Sequence, residues 1–216
     1  MKILVTAATI FEIQPFLDHL AKKEYKDCQI TTLTAGIGMM HTAYQLGRQF
    51  AVSRPDIAIQ AGIAGCFDHS WEMGKVVIIE KEQLGDLGVE DDQAFKDLFE
   101  INLWQPDLPP FTNKQLINTL NNLPSVPELP RVSGVTINTV SGSERTRKLL
   151  VDKYAPDVES MEGAAFHYAC LQEKIPFLQL RSISNYVEVR DKSKWNIPLA
   201  IRTLNETLIK YIEEWN

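Results

Sequence analysis

Along the whole chain, short β-branched and apolar runs alternate with stretches whose apolar positions recur at helical spacing. No other feature constrains the fold as much. Strands are expected at "KILVTA", "QITTLTA", "DIAIQA", "KVVIIEK", "GVTINTV" and "PFLQLRSIS". Helices are expected over Phe11–Lys22, Met39–Ser53, Lys114–Leu123, Glu144–Lys153, Met161–Glu173 and Trp195–Trp215. In the last of these, Ile197, Ile201, Leu204, Leu208 and Tyr211 form one core-facing stripe. Strands such as "DIAIQA" are nearly unbroken apolar runs, as in a sheet covered by helices on both faces. The fold class is therefore α/β, in three layers.

At 216 residues and 44% hydrophobic content, the chain can bury a sizeable core, and one domain spanning residues 1–216 is expected. Its 22 basic and 28 acidic residues give a net charge of -6 without any dense Lys/Arg block. That balance argues against nucleic acid or an anionic membrane surface as a partner. No apolar run approaches the ~20 residues that span a bilayer, and "MKILVTAATIF" reads as a first strand rather than a secretory leader. Cys28, Cys66 and Cys170 are odd in number and lack C-x-x-C spacing, which points to neither a disulfide framework nor a zinc site. A reducing cytoplasm is the expected compartment. The stretch from Glu82 to Pro130, rich in acids, Pro and Asn, exceeds an ordinary connection and is of the kind that forms interfaces or sites.

Several motifs carry bland readings. "TAGIGMMHTAYQLG" supplies only Gly36-x-Gly38 and follows the second strand, so it is better read as a tight strand-to-helix turn than as a dinucleotide site. His19, His41, His69 and His167 show no metal-ligand spacing, and "GVEDD" reads as a solvated acidic loop; no metal or cofactor is expected. There is no G-x-S-x-G elbow. Glu12 and Glu162 each open a helix, where an acid complements the helix dipole, and Ser184-Asn185 fits a cap or turn. Yet Glu12, Glu162 and Asn185 all stand at the ends of strands, where α/β sheets bind ligands. Gly36, Gly38, Gly62 and Gly65 stand at other strand ends, so a crevice with two carboxylates, an amide and bare backbone is expected.

In order and spacing, "MKILVTAATIFEI", "TAGIGMMHTAY", "AGIAG", "VESMEGAA" and "RSISN" resemble the purine nucleosidase and phosphorylase superfamily over essentially the whole chain. The closest resemblance is to the branch of methylthioadenosine/S-adenosylhomocysteine nucleosidases and futalosine hydrolases. "GDLGVEDDQAFKDL" and "SISNYVEVRDKSKWNI" are similar to the latter, which act in the futalosine route to menaquinone. The resemblance implies a three-layer α/β/α sandwich around a central mixed sheet, and hydrolysis of the N-glycosidic bond of a purine nucleoside. It implies a homodimer or higher homo-oligomer and no cofactor.

It also implies roles. Glu12 and Asn185 would be catalytic, Glu12 activating the attacking water and Asn185 holding the base. Glu162 would grip the ribose hydroxyls, with Met161 packing on the sugar. Arg181 would support the water-positioning carboxylate within the substrate-binding set. Ile37 and Gly65 would pack the nucleoside, and Ser184 would lie beside the base. Where adenine-specific relatives carry Asp, this chain has Asn185, which cannot supply a proton and points to hypoxanthine as the leaving base. Ile63 replaces a small polar residue, and "SGSERT" lacks an aromatic stacking residue, so the base pocket must be walled differently. Arg145 and Arg190 are the candidates for an acidic substrate tail. The alternatives are a purine nucleoside phosphorylase, a methylthioadenosine/S-adenosylhomocysteine nucleosidase, or a non-catalytic nucleoside-binding protein.

Overall fold

The computed structural model describes residues 1–92, 94–119 and 128–216. Its main sheet contains β1 (Lys2–Ala7), β2 (Gln29–Thr34), β3 (Ile57–Cys66), β4 (Val76–Leu84), β7 (Leu116–Ile117), β8 (Arg131–Thr136), β9 (Val158–Ser160) and β10 (Phe177–Tyr186). A separate hairpin joins β5 (Gly88–Asp91) to β6 (Ala94–Asp97). The helices are α1 (Ile10–Leu20), α2 (Met39–Val52), α3 (Glu144–Tyr154), α4 (Gly163–Gln172) and α5 (Ile197–Glu214).

The sheet is mixed, as expected. β1 pairs parallel with β2 and β3, whereas β10 runs parallel to β3 and antiparallel to β4. Because β4 pairs β8, β8 pairs β9 and β9 returns to β3, these strands close a circuit with β10. Closure gathers the ends of β3, β9 and β10 around one opening.

Strand alternation sorts the core into two layers. Ile3, Val5, Ile57 and Ile59 pack against Ile13 and Phe16 of α1 and Leu204, Leu208 and Tyr211 of α5. Leu4 and Ala58, pointing the other way, meet Leu46 and Phe50 of α2 and Phe166 and Cys170 of α4. Full burial of each large apolar side chain contributes roughly 1.5–3 kcal/mol, which fixes the strand register.

Besides the strands β5, β6 and β9, which the sequence reading did not foresee, the structure departs from the sequence expectation in two places. The strand expected at "GVTINTV" lies earlier, at Arg131–Thr136, because Asp86 accepts the N–H groups of Asn138 and Thr139 at 2.6 and 3.3 Å and draws the chain out of the ladder. The helix expected over Lys114–Leu123 is absent from its described part. Asn113 and Lys114 adopt left-handed φ values of 48° and 65°, which cannot continue a right-handed helix, and Leu116–Ile117 instead pairs with β4. Residues 120–123 of that expectation lie outside the described residues. The described part of the excursion after Glu82 is folded: Phe99, Trp104 and Phe111 pack against one another, with centroids 5.1–5.7 Å apart, beside Leu116 and Ala164 of α4. No helix among the described residues is long and apolar enough to cross a membrane.

Beneath the N-terminus of α4 lies a buried polar knot. Glu82 accepts from Gln179 Nε2 at 2.8 Å and from the Thr136 hydroxyl at 2.9 Å, and that hydroxyl in turn accepts from Ala164 N at 2.7 Å. A Cβ at Gly163 would stand 1.9 Å from Glu82 Oε1, so the glycine of "MEG" is required by this carboxyl. Burial pushes the Glu82 carboxyl up to about 7, against the bonds from Gln179 and Thr136, which favour its charged form. Between its ordinary value of 4.5 and about 7, the folded protein therefore holds a proton that the unfolded chain has released. Stability should fall as pH rises through that window and level off above it, by about 3 kcal/mol in all. Urea denaturation from about pH 5 to about pH 8 checks this. Relative to Glu82→Gln, the wild type should lose stability across this range, because buried His167, held neutral, adds a rise with pH that both proteins share; an unchanged difference between the two would remove Glu82 as a source.

Candidate active site

The open ends of β1, β3, β9 and β10 surround a cavity of about 380 Å³. Its lining includes Glu12, Ile37, Gly65, Met161, Glu162, Ser184 and Asn185, so these residues, dispersed in sequence, meet in one place. Arg181 does not line it. That side chain is 1% exposed and lies behind the two carboxylates.

Glu12 is held by its own helix and by the sheet. It occupies the third position of α1, where Oε2 accepts from Thr9 N at 2.9 Å and from the Thr9 hydroxyl at 3.1 Å. This is a capping box. Oε1 accepts from Ile63 N on β3 at 3.2 Å, leaving lone-pair capacity directed at the cavity. Burial raises the Glu12 carboxyl above its ordinary range; Arg181 opposes that rise and Glu162 adds to it. From α5, Asn205 clamps the same turn: its amide donates to Glu12 O at 2.8 Å and accepts from Phe16 N at 3.0 Å. An α-helix would join that backbone pair directly, so Asn205 fixes the turn that aims Glu12.

Glu162 stands at the N-cap of α4. Its Oε1 accepts from Gly38 N at 3.0 Å, and its Oε2 lies 3.6 Å from Arg181 Nη1. Gly38 opens α2 with φ 89°, a conformation that turns its N–H toward the carboxylate. The glycine turn thus cradles an anion at a helix N-terminus, and the anion is the protein's own carboxylate. Arg181 donates to Gln60 Oε1 at 2.9 Å and Ile63 O at 3.3 Å, and its Nη1 would sit 2.3 Å from a Cβ at Gly62. Only a residue without a side chain leaves room there for the guanidinium.

At the opposite end, β10 shifts register against β3 between Ile183 and Asn185, making Ser184 the extra residue of a bulge that re-aims Asn185. The Ser184 hydroxyl donates to Asn185 Oδ1 at 2.8 Å, and Asn185 Nδ2 donates to Tyr186 O at 3.1 Å. These bonds set the amide's orientation and leave one N–H for a ligand. Arg190 lines the cavity; Arg145 lies outside it, highly exposed and 3.8 Å from Glu90.

Sequence reasoning missed Glu159, Val140, Trp195, Ile197 and Ile201, all of which line the cavity. Trp195 supplies an aromatic wall that "SGSERT" lacks. Nothing in the local pattern marks it, because it precedes a helix and faces the cavity only after α5 has packed. Glu159 was visible in "VES", but a charged residue in so short a strand gives no sign of its direction.

Three buried carboxylates, of Glu12, Glu159 and Glu162, and the Asn185 amide line a cavity whose walls are otherwise mostly apolar, so it offers several acceptors and an amide donor to a polar ligand. Residues 8–213 match the model of the phosphorylase superfamily, and the chain belongs to that superfamily. It is 28% identical over 213 residues to the futalosine hydrolase of Thermus thermophilus, covering 96% of this chain and 91% of that one. It is also 28% identical to the 5'-methylthioadenosine/S-adenosylhomocysteine nucleosidase of Bacillus subtilis, over 75% of this chain and 70% of the other. A solved futalosine hydrolase mutant of Helicobacter pylori shares the fold, with a TM-score of 0.81 at 17% identity over 99% of both chains.

Gly38, at the N-cap of α2, and Gly47, inside it, provide a test of the turn. An added Cβ meets nothing within 4 Å at either Gly38 or Gly47, so only backbone conformation distinguishes them. Gly38→Ala should cost about 1–3 kcal/mol, because φ 89° with ψ 161° is a region essentially reserved for glycine. Gly47→Ala, inside the helix, should gain roughly 0.5–1 kcal/mol. Chemical denaturation of both variants measures the difference; the same sign for both would contradict the strained turn.

Proposed function

We propose that this protein hydrolyses the N-glycosidic bond of a purine nucleoside, with futalosine as its substrate and hypoxanthine as the released base, in the route to menaquinone. The observation that carries this reading is the placement of two carboxylates and one amide around a single cavity, in a chain whose curated relatives include futalosine hydrolases. Glu12 positions a water on one face of C1′ and takes its proton as the C1′–N bond lengthens. Its raised carboxyl makes it a better base than an ordinary glutamate. Glu162 keeps one acceptor site on each oxygen beyond Gly38 and Arg181, enough for the two hydroxyls of a cis-diol. Met161 packs on the sugar and Ile37 on the nucleoside. As the sugar becomes oxocarbenium-like, charge gathers on the base, and the free N–H of Asn185 stabilises it at N7 or O6. The proton that completes the base comes from solvent, because an amide has none to give.

Hydrolysis is preferred to phosphorolysis because Arg190 is the one cationic side chain among the described residues that line the cavity. Base release that requires phosphate would sink the hydrolase reading. A second copy of the chain is expected at the cavity mouth, where Phe11, Ile37 and Met40 are 76%, 59% and 77% exposed. Residues 1–216 are read as a single domain that holds the site.

Further outcomes are expected for the two carboxylates. Glu12→Gln should lower turnover by 10²–10⁴-fold or more with little change in substrate affinity. In the wild type, kcat/KM should fall on the acid side with an apparent pKa above 4.5, since the base must be ionised and burial raises it. A limb at or below 4.5, or a limb unchanged in the residual activity of Glu12→Gln, would exclude Glu12 as that base. Glu162→Ala should weaken cleavage of ribosides by roughly 1.5–3 kcal/mol per lost charge-assisted bond. It should harm a 2′,3′-dideoxy substrate far less, and equal losses would show that Glu162 does not hold the diol.

A further inference from the structure

Behind the carboxylates, the sheet face covered by α2 and α4 changes from apolar to polar. Leu4, Ala58 and Phe177 stand level on β1, β3 and β10 and pack under Leu46, Phe166 and Cys170. Two residues nearer the site, on the same faces of those strands, Thr6, Gln60 and Gln179 stand level in turn. Thr42 lies one turn before Leu46 on α2, and His167 of α4 sets its ring 4.6 Å from that of Phe177. Two residues further along come Gly62 and Arg181, paired across β3 and β10. Thr6, Thr42, Gln60, Gln179, His167 and Arg181 are all buried. Yet Thr6 Oγ1, Thr42 Oγ1, Gln179 Oε1, His167 Nε2 and Arg181 Nε find no hydrogen-bond partner in the protein. Among the described residues only Gln83 Oε1 and Tyr154 Oη share that condition, so the unpaired buried groups are concentrated in this one layer.

The chemistry of the five atoms says what they can bind. His167 Nδ1 lies 3.1 Å from Leu116 O, which only accepts, so Nδ1 carries the hydrogen and Nε2 a lone pair. Burial pushes that ring down to about 3, which keeps it neutral. Gln179 has already given its amide to Glu82, with Nε2 at 2.8 Å, and turns its oxygen to the layer. The layer therefore offers one donor on Arg181, two acceptors on Gln179 and His167, and two hydroxyls that can act either way. An anion would meet the acceptors and a cation would meet the guanidinium. Only a small neutral molecule that both donates and accepts suits all five. We propose that this layer is a binding site for internal water, which accepts from Arg181 Nε–H and donates to Gln179 Oε1 and His167 Nε2, with the Thr6 and Thr42 hydroxyls extending the network. Arg181 Nη1 and Nη2 already donate to Ile63 O and Gln60 Oε1. With water on Nε, the guanidinium is held at all three nitrogens behind Glu12 and Glu162. The site goes beyond the nucleosidase reading and stands whichever substrate the cavity takes.

Two measurements on the wild type test this directly. A high-resolution crystal structure should show ordered water within hydrogen-bonding distance of Arg181 Nε and Gln179 Oε1. In solution, the Arg181 Nε–H resonance should give a cross-peak to a long-lived water. Substitution supplies a test by sign. Thr6→Val and Thr42→Val each exchange a hydroxyl for a methyl group of similar size. If the hydroxyl bonds water, its loss deprives that water of a partner and the urea midpoint falls. If the hydroxyl is buried dry and unpaired, its removal relieves a desolvated group and the midpoint rises. A layer without water, with the Gln179 amide turned to donate straight to His167 Nε2, overturns the proposal. So does a midpoint raised by both substitutions. The crystallographic and resonance measurements need no variant, so they decide the matter even where a substitution prevents folding.

Discussion

A guanidinium buried between two carboxylates sets the terms for the rest of the site. Arg181, 1% exposed on β10, lies 3.6 Å from Glu162 and exerts the main charge effect on Glu12. Without it the two acids would lose the buried cation behind them, leaving, among the described residues, only Arg190 in the cavity wall. Removing one partner of such a buried group typically costs 3–5 kcal/mol. One cation for two anions also leaves an imbalance, which is why Glu162 adds to the rise of the Glu12 carboxyl. Gly62 follows from the same requirement, since a Cβ there would occupy the space of Arg181 Nη1.

The closed circuit of strands places these groups. A flat sheet would spread the ends of β3, β9 and β10 along an edge. Pairing β10 to both β3 and β4 curls the sheet, so that Gly65, Glu159 and Asn185 come into one row. The helices then close the other sides. α1 and α2 present their N-termini to the opening, one carrying Glu12 and the other binding Glu162 through Gly38.

Glu12 shows that a capping role and a chemical role need not compete. As a cap it satisfies Thr9 N, and the same bond fixes the rotamer that presents its other oxygen to Ile63 and the cavity. Glu162 and Gly38 make the same point from the opposite direction. What resembles a weak phosphate turn in sequence is an anion cradle in the structure, filled by the protein itself. Glu82, deeper still, has no exposed face. It leaves no room for a side chain at Gly163, and through the Thr136 hydroxyl it holds the N–H of Ala164 at the start of α4, just after Glu162.

The α/β class, most helices and the strand-end placement of Glu12, Glu162 and Asn185 were legible in the sequence, because periodicity and strand-end chemistry are local properties of neighbouring residues. The strand at Leu116–Ile117 was not legible: its apolar residues fit a helix, and only left-handed Asn113 and Lys114, with pairing to β4, decide otherwise. Nor could the sequence show that Asn205 clamps the turn of Glu12 from 193 residues away, or that Arg181 stands behind the acids rather than on the cavity. The direction of Glu159 depends on the register of β9 against β3, which no residue near it encodes. Chain-local chemistry chose the groups. Long-range strand pairing and helix packing decided which of them face one another, because burial rewards a register only when both partners are present.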